Sequence, residues 1–342
     1  MIQRLEIEGF RGITTGVLED LPPLTVLVGP NNSGKSTVLE SLLLVTPGAS
    51  GETIKGIVER RGDIGSLSVE TMIPRGQASL SLVADSLDRT VRLTIEQDAT
   101  ERKAQLTIDP EENKLLAFAP PRASQFTYQA SDGGGRGWSG QGKAQPAAQL
   151  LEAGRGPVDP SQLEALFSWV ELAGRREWLI SLLRPLLPGL KDIRILIPRT
   201  RPTVFIEDDS GRWPLTMSGD GFKRLFALAT RMASSDAQFT LIEEPETFLH
   251  VGALPQIARL FWEATMPQAT GPNGKQPPAR HILVTTHSLE YLDAQFLNAS
   301  EEELSRAALV RLSLRHGRLK TVRIAGSKVK ELREEIGEDL RR

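Results

Sequence analysis

Apolar and polar residues alternate through RLEIEGFRGI at residues 4–13, and the alternation meets glycines at 9 and 12. That pattern predicts a half-buried first strand closed by a turn. PLTVLVG at 23–29 is a short apolar run ending in glycine, as a strand buried on both faces would be. KSTVLESLLLV at 35–45 spaces its apolar residues for a helix, and Pro47-Gly48 stops it. The chain therefore opens with a strand, a glycine loop and a helix.

From 64 to 130 the period changes to two. SLSVETMI, ASLSLVADS, TVRLTIEQD and KAQLTID predict an antiparallel β subdomain. SDGGGRGWSGQGK at 131–143 is glycine-dense and reads as a mobile loop, with Trp138 as a possible anchor for a partner. Residues 158–186 have a helical pattern, and DIRILI and TVFIED flank the turn-forming PRTRP as strands. FKRLFALATRMA places Phe222, Leu225, Phe226 and Ala229 on one helical face. FTLIEE and HILVTTH are apolar runs that end in polar residues, as parallel strands do when they point at a site. SKVKELREEIGEDLRR at 327–342 reads as one charged amphipathic helix. The expected division is 1–63 as the N-terminal part of a core, 64–145 as the antiparallel insertion with its glycine loop, 146–190 as a helical subdomain, and 191–342 as the remainder of the core with the C-terminal helix.

Bulk composition narrows the classes. In 342 residues, 39% are hydrophobic and 25% charged, which is ordinary for a soluble globular protein. No run of about 18 apolar residues exists, so no membrane span is expected. The charged N-terminus does not read as a signal peptide. There are no cysteines, which excludes disulfides and thiolate chemistry and fits a cytoplasmic protein. The net charge of −2 means that any nucleic-acid contact must come from a local patch.

The candidate chemistry starts at Gly29-Pro-Asn31-Asn32-Ser33-Gly34-Lys35-Ser36-Thr37, which matches G-x-x-x-x-G-K-[ST] between a strand and a helix. The glycines let backbone N–H groups converge on phosphate oxygens, and the helix N-terminus adds unpaired donors. Lys35 reaches the β- and γ-phosphates, and the Ser36 hydroxyl ligates Mg²⁺. Glu243-Glu244 ends the strand FTLIEE. Glu243 is assigned to the metal and Glu244 to the attacking water. Adjacent strand residues point to opposite faces, so this division requires a bend, and Pro245 is placed to begin one. His287 ends ILVTTH, where it could contact a γ-phosphate. Ser218 and Gly219 precede a helix and form another anion-ready start.

The order of these motifs resembles that of ABC-type ATPases, and within them the RecF/SMC/OLD-type branch. IEGFRGI, GPNNSGKST, SGDGFKRL, LIEEPETFLH and VTTHS carry the resemblance, over roughly residues 1–60 and 190–295. It implies an α/β fold: an ABC-type P-loop ATPase head with a mixed sheet, an antiparallel β subdomain and a helical subdomain. It also implies ATP with Mg²⁺, and two heads that close face to face on the nucleotide. Ser218 and Gly219 would then act in trans, Arg11 would stack near the adenine, and Lys35, Ser36, Glu243, Glu244 and His287 would act in cis. Two departures stand out. Glu243 occupies a position where most such heads have Asp, and Asp220 would repel a γ-phosphate unless it turned away to cap its own helix.

No sustained heptads suggest coiled-coil arms, and only about 50 residues follow His287, too few for a nuclease domain. The expectation is a free-standing head that gates a separate effector, as in bacterial anti-phage systems. The alternative is a RecF-like DNA-repair protein. Its cue is the basic group Arg194, Arg199, Arg201, Lys223, Arg224 and Arg231.

Overall fold

The computed structural model describes residues 2–46, 56–57, 72–74, 77–86, 90–97, 103–110, 125–130, 136–139, 148–152, 160–184, 186–198, 200–235, 237–247, 249–266 and 280–341. Its first elements are β1 (Ile2–Phe10), β2 (Ile13–Glu19), β3 (Leu24–Val28) and α1 (Lys35–Val45). β4 (Ser79–Ser86), β5 (Thr90–Gln97), β6 (Lys103–Pro110), β7 (Gln125–Ala130), β8 (Arg136–Ser139) and β9 (Ala148–Glu152) follow. Then come α2 (Pro160–Leu172), α3 (Arg176–Leu183), β10 (Asp192–Leu196), β11 (Thr203–Asp208) and β12 (Gly211–Pro214). α4 (Asp220–Ser234), β13 (Phe239–Glu243), α5 (Leu254–Thr265), β14 (His281–Thr285), α6 (Leu289–Phe296) and α7 (Glu301–Ser305) lead to the hairpin β15 (Ala307–Arg315) and β16 (Arg318–Ala325), and then to α8 (Gly326–Glu331).

Thirteen strands form one sheet in the order β8-β7-β6-β5-β4-β1-β2-β16-β15-β3-β14-β13-β9, and β10-β11-β12 form a second. β9, β13, β14, β3 and β15 run parallel to one another. Such strands are covered on both faces, which is why β3 is buried at every position. Their alternation divides the core into two layers. Leu24, Val26 and Val28, with Ile282, Val284 and Ile242, face a layer that contains α2–α6. Leu27, Leu283 and Leu241 face the other, with Val38, Leu39 and Leu42 of α1. The P-loop helix thus lies on one face and the helical lobe on the other.

Several expectations are met and several are corrected. The α/β fold with a mixed sheet, antiparallel strands and helices is observed. The antiparallel strands β4–β8 do not stand apart: β4 pairs directly with β1 and extends the main sheet. Of SLSVETMI, residues 66–71 lie outside the described residues, and 72–73 are turn and bend. The glycine-dense stretch is not all loop, because Arg136–Ser139 pairs with β7, Trp138 opposite Tyr128. The helical stretch 158–186 is two helices, broken where Gly174 takes φ +67°. The tail is not one helix. α8 ends at Glu331, a π turn covers Leu332–Ile336, and left-handed Gly337 (φ +67°) turns the chain away.

Candidate functional site

β3 ends at Val28, and the loop that follows wraps the N-terminus of α1. Gly29 has φ +148°, Asn32 φ +64° and Gly34 φ +93°, so three of its six residues lie in backbone regions that L side chains rarely adopt. A methyl group on Gly29 would stand 2.4 Å from the Leu312 carbonyl oxygen and 2.6 Å from Ser33 Oγ. The cradle is therefore closed against β15 from below. Pro30, Asn31 and Asn32 are exposed, while Ser33 is buried and its hydroxyl has no hydrogen-bond partner among the described residues. The Lys35 ammonium donates back to the carbonyls of Gly29 at 2.8 Å and Pro30 at 3.1 Å. Burial pushes the Lys35 pKa down, opposed by the charges of Glu244 and Glu243. Ser36 is half-buried at the mouth of α1, and Thr37 is buried.

The bend in the acidic pair is made by a different residue from the one expected. The bend falls on Glu244 itself, which takes φ +43° and donates its N–H to the Thr285 carbonyl at 3.0 Å. Its side chain is half exposed, and Glu244 Oε1 lies 3.6 Å from His287 Nε2. Burial and the Lys35 charge lower the His287 pKa, with Glu244 opposing. Lys35, Glu243, Glu244 and His287 thus share one end of the parallel strands β3, β13 and β14, close enough to feel one another's charge.

One residue of this end is invisible in a linear reading. Glu246 folds back from the turn after β13, accepting the Thr286 hydroxyl at 2.7 Å and the His287 N–H at 3.0 Å. Burial pushes its carboxyl up, against those two hydrogen bonds. Thr286 in turn accepts the Ser288 N–H, and Ser288 caps α6 through the Tyr291 N–H. The EEPE sequence was a signal for acids; the fold gives the third of them a structural task.

Arg11 is placed differently from a free stacking group. It sits at φ +53° in the turn between β1 and β2, and its guanidinium pairs with fully buried Glu40 of α1 at 3.1 Å. Ser218 and Gly219 belong to the helical lobe, where α4 packs on α2 and α3. Gly219 is the N-cap of α4, and the Ser218 hydroxyl is buried without a hydrogen-bond partner among the described residues. Among the described residues, no hydrogen bond or ion pair joins these two to the loop around Lys35. Asp220 does not cap the helix; it pairs with Lys223 at 3.2 Å on the exposed side. Of the basic group, Arg194 pairs with Asp192 and Lys223 with Asp220, so two of its charges are compensated. Arg199 lies outside the described residues. Among the described residues, no group of three or more acidic or histidine side chains could hold a metal ion, and no helix is long and apolar enough to cross a membrane.

The donor set fits a nucleoside triphosphate. Left-handed glycines, a buried unpaired Ser33 hydroxyl and a lysine directed into the loop are what a phosphate cradle requires. Fold and site resemble those of an ABC-type ATPase head of the RecF/SMC-like kind. The protein-family model "AAA ATPase domain" matches residues 1–115, and "AAA domain, putative AbiEii toxin, Type IV TA system" matches 180–293. The chain is 30% identical over 134 residues to the DNA replication and repair protein RecF of Psychromonas ingrahamii, covering 36% of this chain and 37% of that one. It is 26% identical over 106 residues to the chromosome partition protein Smc of Halothermothrix orenii, covering 31% of this chain and 9% of that one. The chain thus spans well under half the length of these relatives. The SMC head domain from Thermotoga maritima superposes with a TM-score of 0.51 at 17% identity, covering 94% of this chain and 98% of that one. An Smc head from Pyrococcus furiosus, bound to the C-terminal domain of ScpA, gives 0.53 at 14% identity, covering 98% and 99%.

Proposed function

We propose that the protein is an ATP-hydrolysing switch: two copies close head to head on ATP, and the cycle gates a separate effector. The observation that carries this reading is the split of the motifs. Lys35, Glu244 and His287 meet at one end of the parallel strands, while Ser218 lies on the helical lobe with a buried hydroxyl that no group among the described residues engages. A second copy could supply what each half lacks. The loop N–H groups from Gly29 to Ser36, with Lys35, would hold the phosphates, and Ser36 and Glu243 would hold Mg²⁺. ATP supplies the phosphoanhydride to be cleaved, and Mg²⁺ offsets its charge. Glu244, a half-exposed carboxylate, would accept a proton from water, and His287 beside it would face the γ-phosphate. Arg11, tied to Glu40, would bound the adenine side.

An OLD-like role in anti-phage defence, with a nuclease or toxin-like effector, is supported by the toxin–antitoxin description of the family model that matches 180–293. The match to RecF favours a second reading, in which the switch acts on DNA.

The test is Glu244→Gln, which keeps the hydrogen-bonding shape but removes the proton acceptor. The variant should lose phosphate release and accumulate an ATP-bound dimer by light scattering. If wild type and variant both stay monomeric with ATP, the switch reading loses its core. DNA titration at two salt concentrations separates the readings: ATP-dependent binding with a steep salt slope favours DNA, and no binding favours a protein effector.

A further inference from the structure

Both main-chain polar groups of His287 are held by charged side chains, each from a different part of the chain. Its N–H donates to Glu246 Oε1 at 3.0 Å, and its carbonyl accepts from Arg341 Nη1 at 3.0 Å. Glu246 stands three residues beyond β13; Arg341 stands 54 residues beyond the histidine.

The path by which Arg341 arrives is built at every step. Gly337 reverses the chain in the left-handed region. Arg333 receives the reversal, donating to the Glu338 carbonyl at 2.8 Å while its guanidinium pairs with Asp293 of α6 at 2.6 and 2.8 Å. Leu340 is fully buried in the layer that holds the helical lobe. Asp339 accepts from Arg341 Nε and Nη2 at 2.8 and 2.9 Å, which fixes the plane of the guanidinium and leaves Nη1 for the histidine carbonyl. A loose terminus would need none of these contacts.

We propose that Glu246 and Arg341 are positioning residues that grip His287 from opposite sides, so that the segment 337–341 sets how the imidazole meets Glu244 and Lys35. The grip joins the nucleotide end of the sheet to the C-terminal segment at His287. Displacing that segment would loosen the histidine without touching the phosphate loop. The proposal rests on the reading of His287 as the group that faces the γ-phosphate.

The chain has four histidines, so the ring of His287 can be followed by NMR in protein carrying labelled histidine. Arg341→Ala should shift or broaden the His287 ring signal and leave those of His250, His281 and His316 in place. It should lower kcat for ATP about tenfold and change KM less than about twofold, because the phosphate loop is untouched. Arg341→Lys, which still carries a donor, should restore most of the rate. Glu246→Gln keeps an acceptor oxygen and should remain near wild type, whereas Glu246→Ala should behave as Arg341→Ala does. An Arg341→Ala protein with a lower melting point but an unaltered His287 signal and rate overturns the proposal. His287→Ala separates the two readings. If that variant hydrolyses ATP at the wild-type rate, the γ-phosphate role of His287 falls, and the ring signal in Arg341→Ala alone decides whether the grip exists.

Discussion

Arg11 Nη1 lies 3.1 Å from Glu40 Oε2, and the glutamate has no solvent exposure at all. The pair ties the turn between β1 and β2 to the middle of the P-loop helix. It also places a charged contact inside an apolar layer that includes Ile13, Val38 and Leu39.

A buried carboxylate left without its cation is expensive to keep. Glu40→Ala removes the carboxylate that faces Arg11 in the buried layer, although the guanidinium keeps the Ile57 carbonyl and the Phe10 ring, so it should cost on the order of 3 kcal/mol of stability in chemical denaturation. Arg11→Ala should cost a comparable amount. It should also weaken binding of ATP while leaving binding of inorganic triphosphate nearly unchanged, if the guanidinium bounds the adenine as proposed.

Gly29→Ala should abolish tight nucleotide binding. The added methyl would meet a backbone oxygen of β15 at 2.4 Å, at a φ of +148°, and a backbone neighbour cannot swing aside as a side-chain tip can. A fall of roughly a hundredfold or more in ATP affinity by calorimetry is expected, with the circular dichroism of the folded sheet retained.

Mixing tests whether the site is shared between copies. Lys35→Ala and Ser218→Arg should each be inactive alone. In a heterodimer of the two, one composite site carries both lesions and the other carries neither. Equal mixing should therefore restore about a quarter of wild-type ATP turnover. Two inactive variants that stay inactive when mixed argue that each head works by itself.

His281, at the far end of β14 from His287, gives the fold a pH dependence of its own. Burial, with the charge of Arg306 among the smaller contributions, lowers its pKa to about 4, and its ring stacks on Phe239 at 5.2 Å. Between pH 6.5 and 4 the unfolded chain binds a proton there and the folded chain does not. Stability from this residue is therefore complete above about pH 6.5 and is lost as the pH falls toward 4, by roughly 3 kcal/mol in all. His281→Phe should flatten that part of the stability profile in denaturant titrations.

The parts of the site that were legible are those whose chemistry and position are local. Gly29 to Ser36 declare a phosphate loop because the backbone itself does the binding. Glu243 and His287 end apolar runs, because a strand covered on both faces has only its ends free for polar work. The need for a bend between Glu243 and Glu244 was also legible, although Pro245 drew attention from Glu244, which makes the bend. Glu246 and Arg341 could not be read this way. Their partners are 41 and 54 residues distant, and nothing within a few positions of either marks the pairing. The hairpin of β15 and β16 has a local sequence signal of its own. AALVRLSLR and RLKTVRIA alternate around His316-Gly317, both at positive φ, and charges on the outward positions disguised a strand that lies directly beside β3.

The continuity of the large sheet has a mechanical meaning. From β3, which carries the phosphate loop, the ladder runs through β15, β16, β2, β1 and β4 to β5. Six steps of about 4.8 Å make an arm of roughly 29 Å. If that arm moves as one stiff plate, a tilt of about 2° at its root displaces its tip by about 1 Å. Under that condition the outer strands would act as a pointer for the attitude of the loop, and the joint between β16 and β2, bridged at Arg318 and Thr15, is where the plate would have to stay stiff.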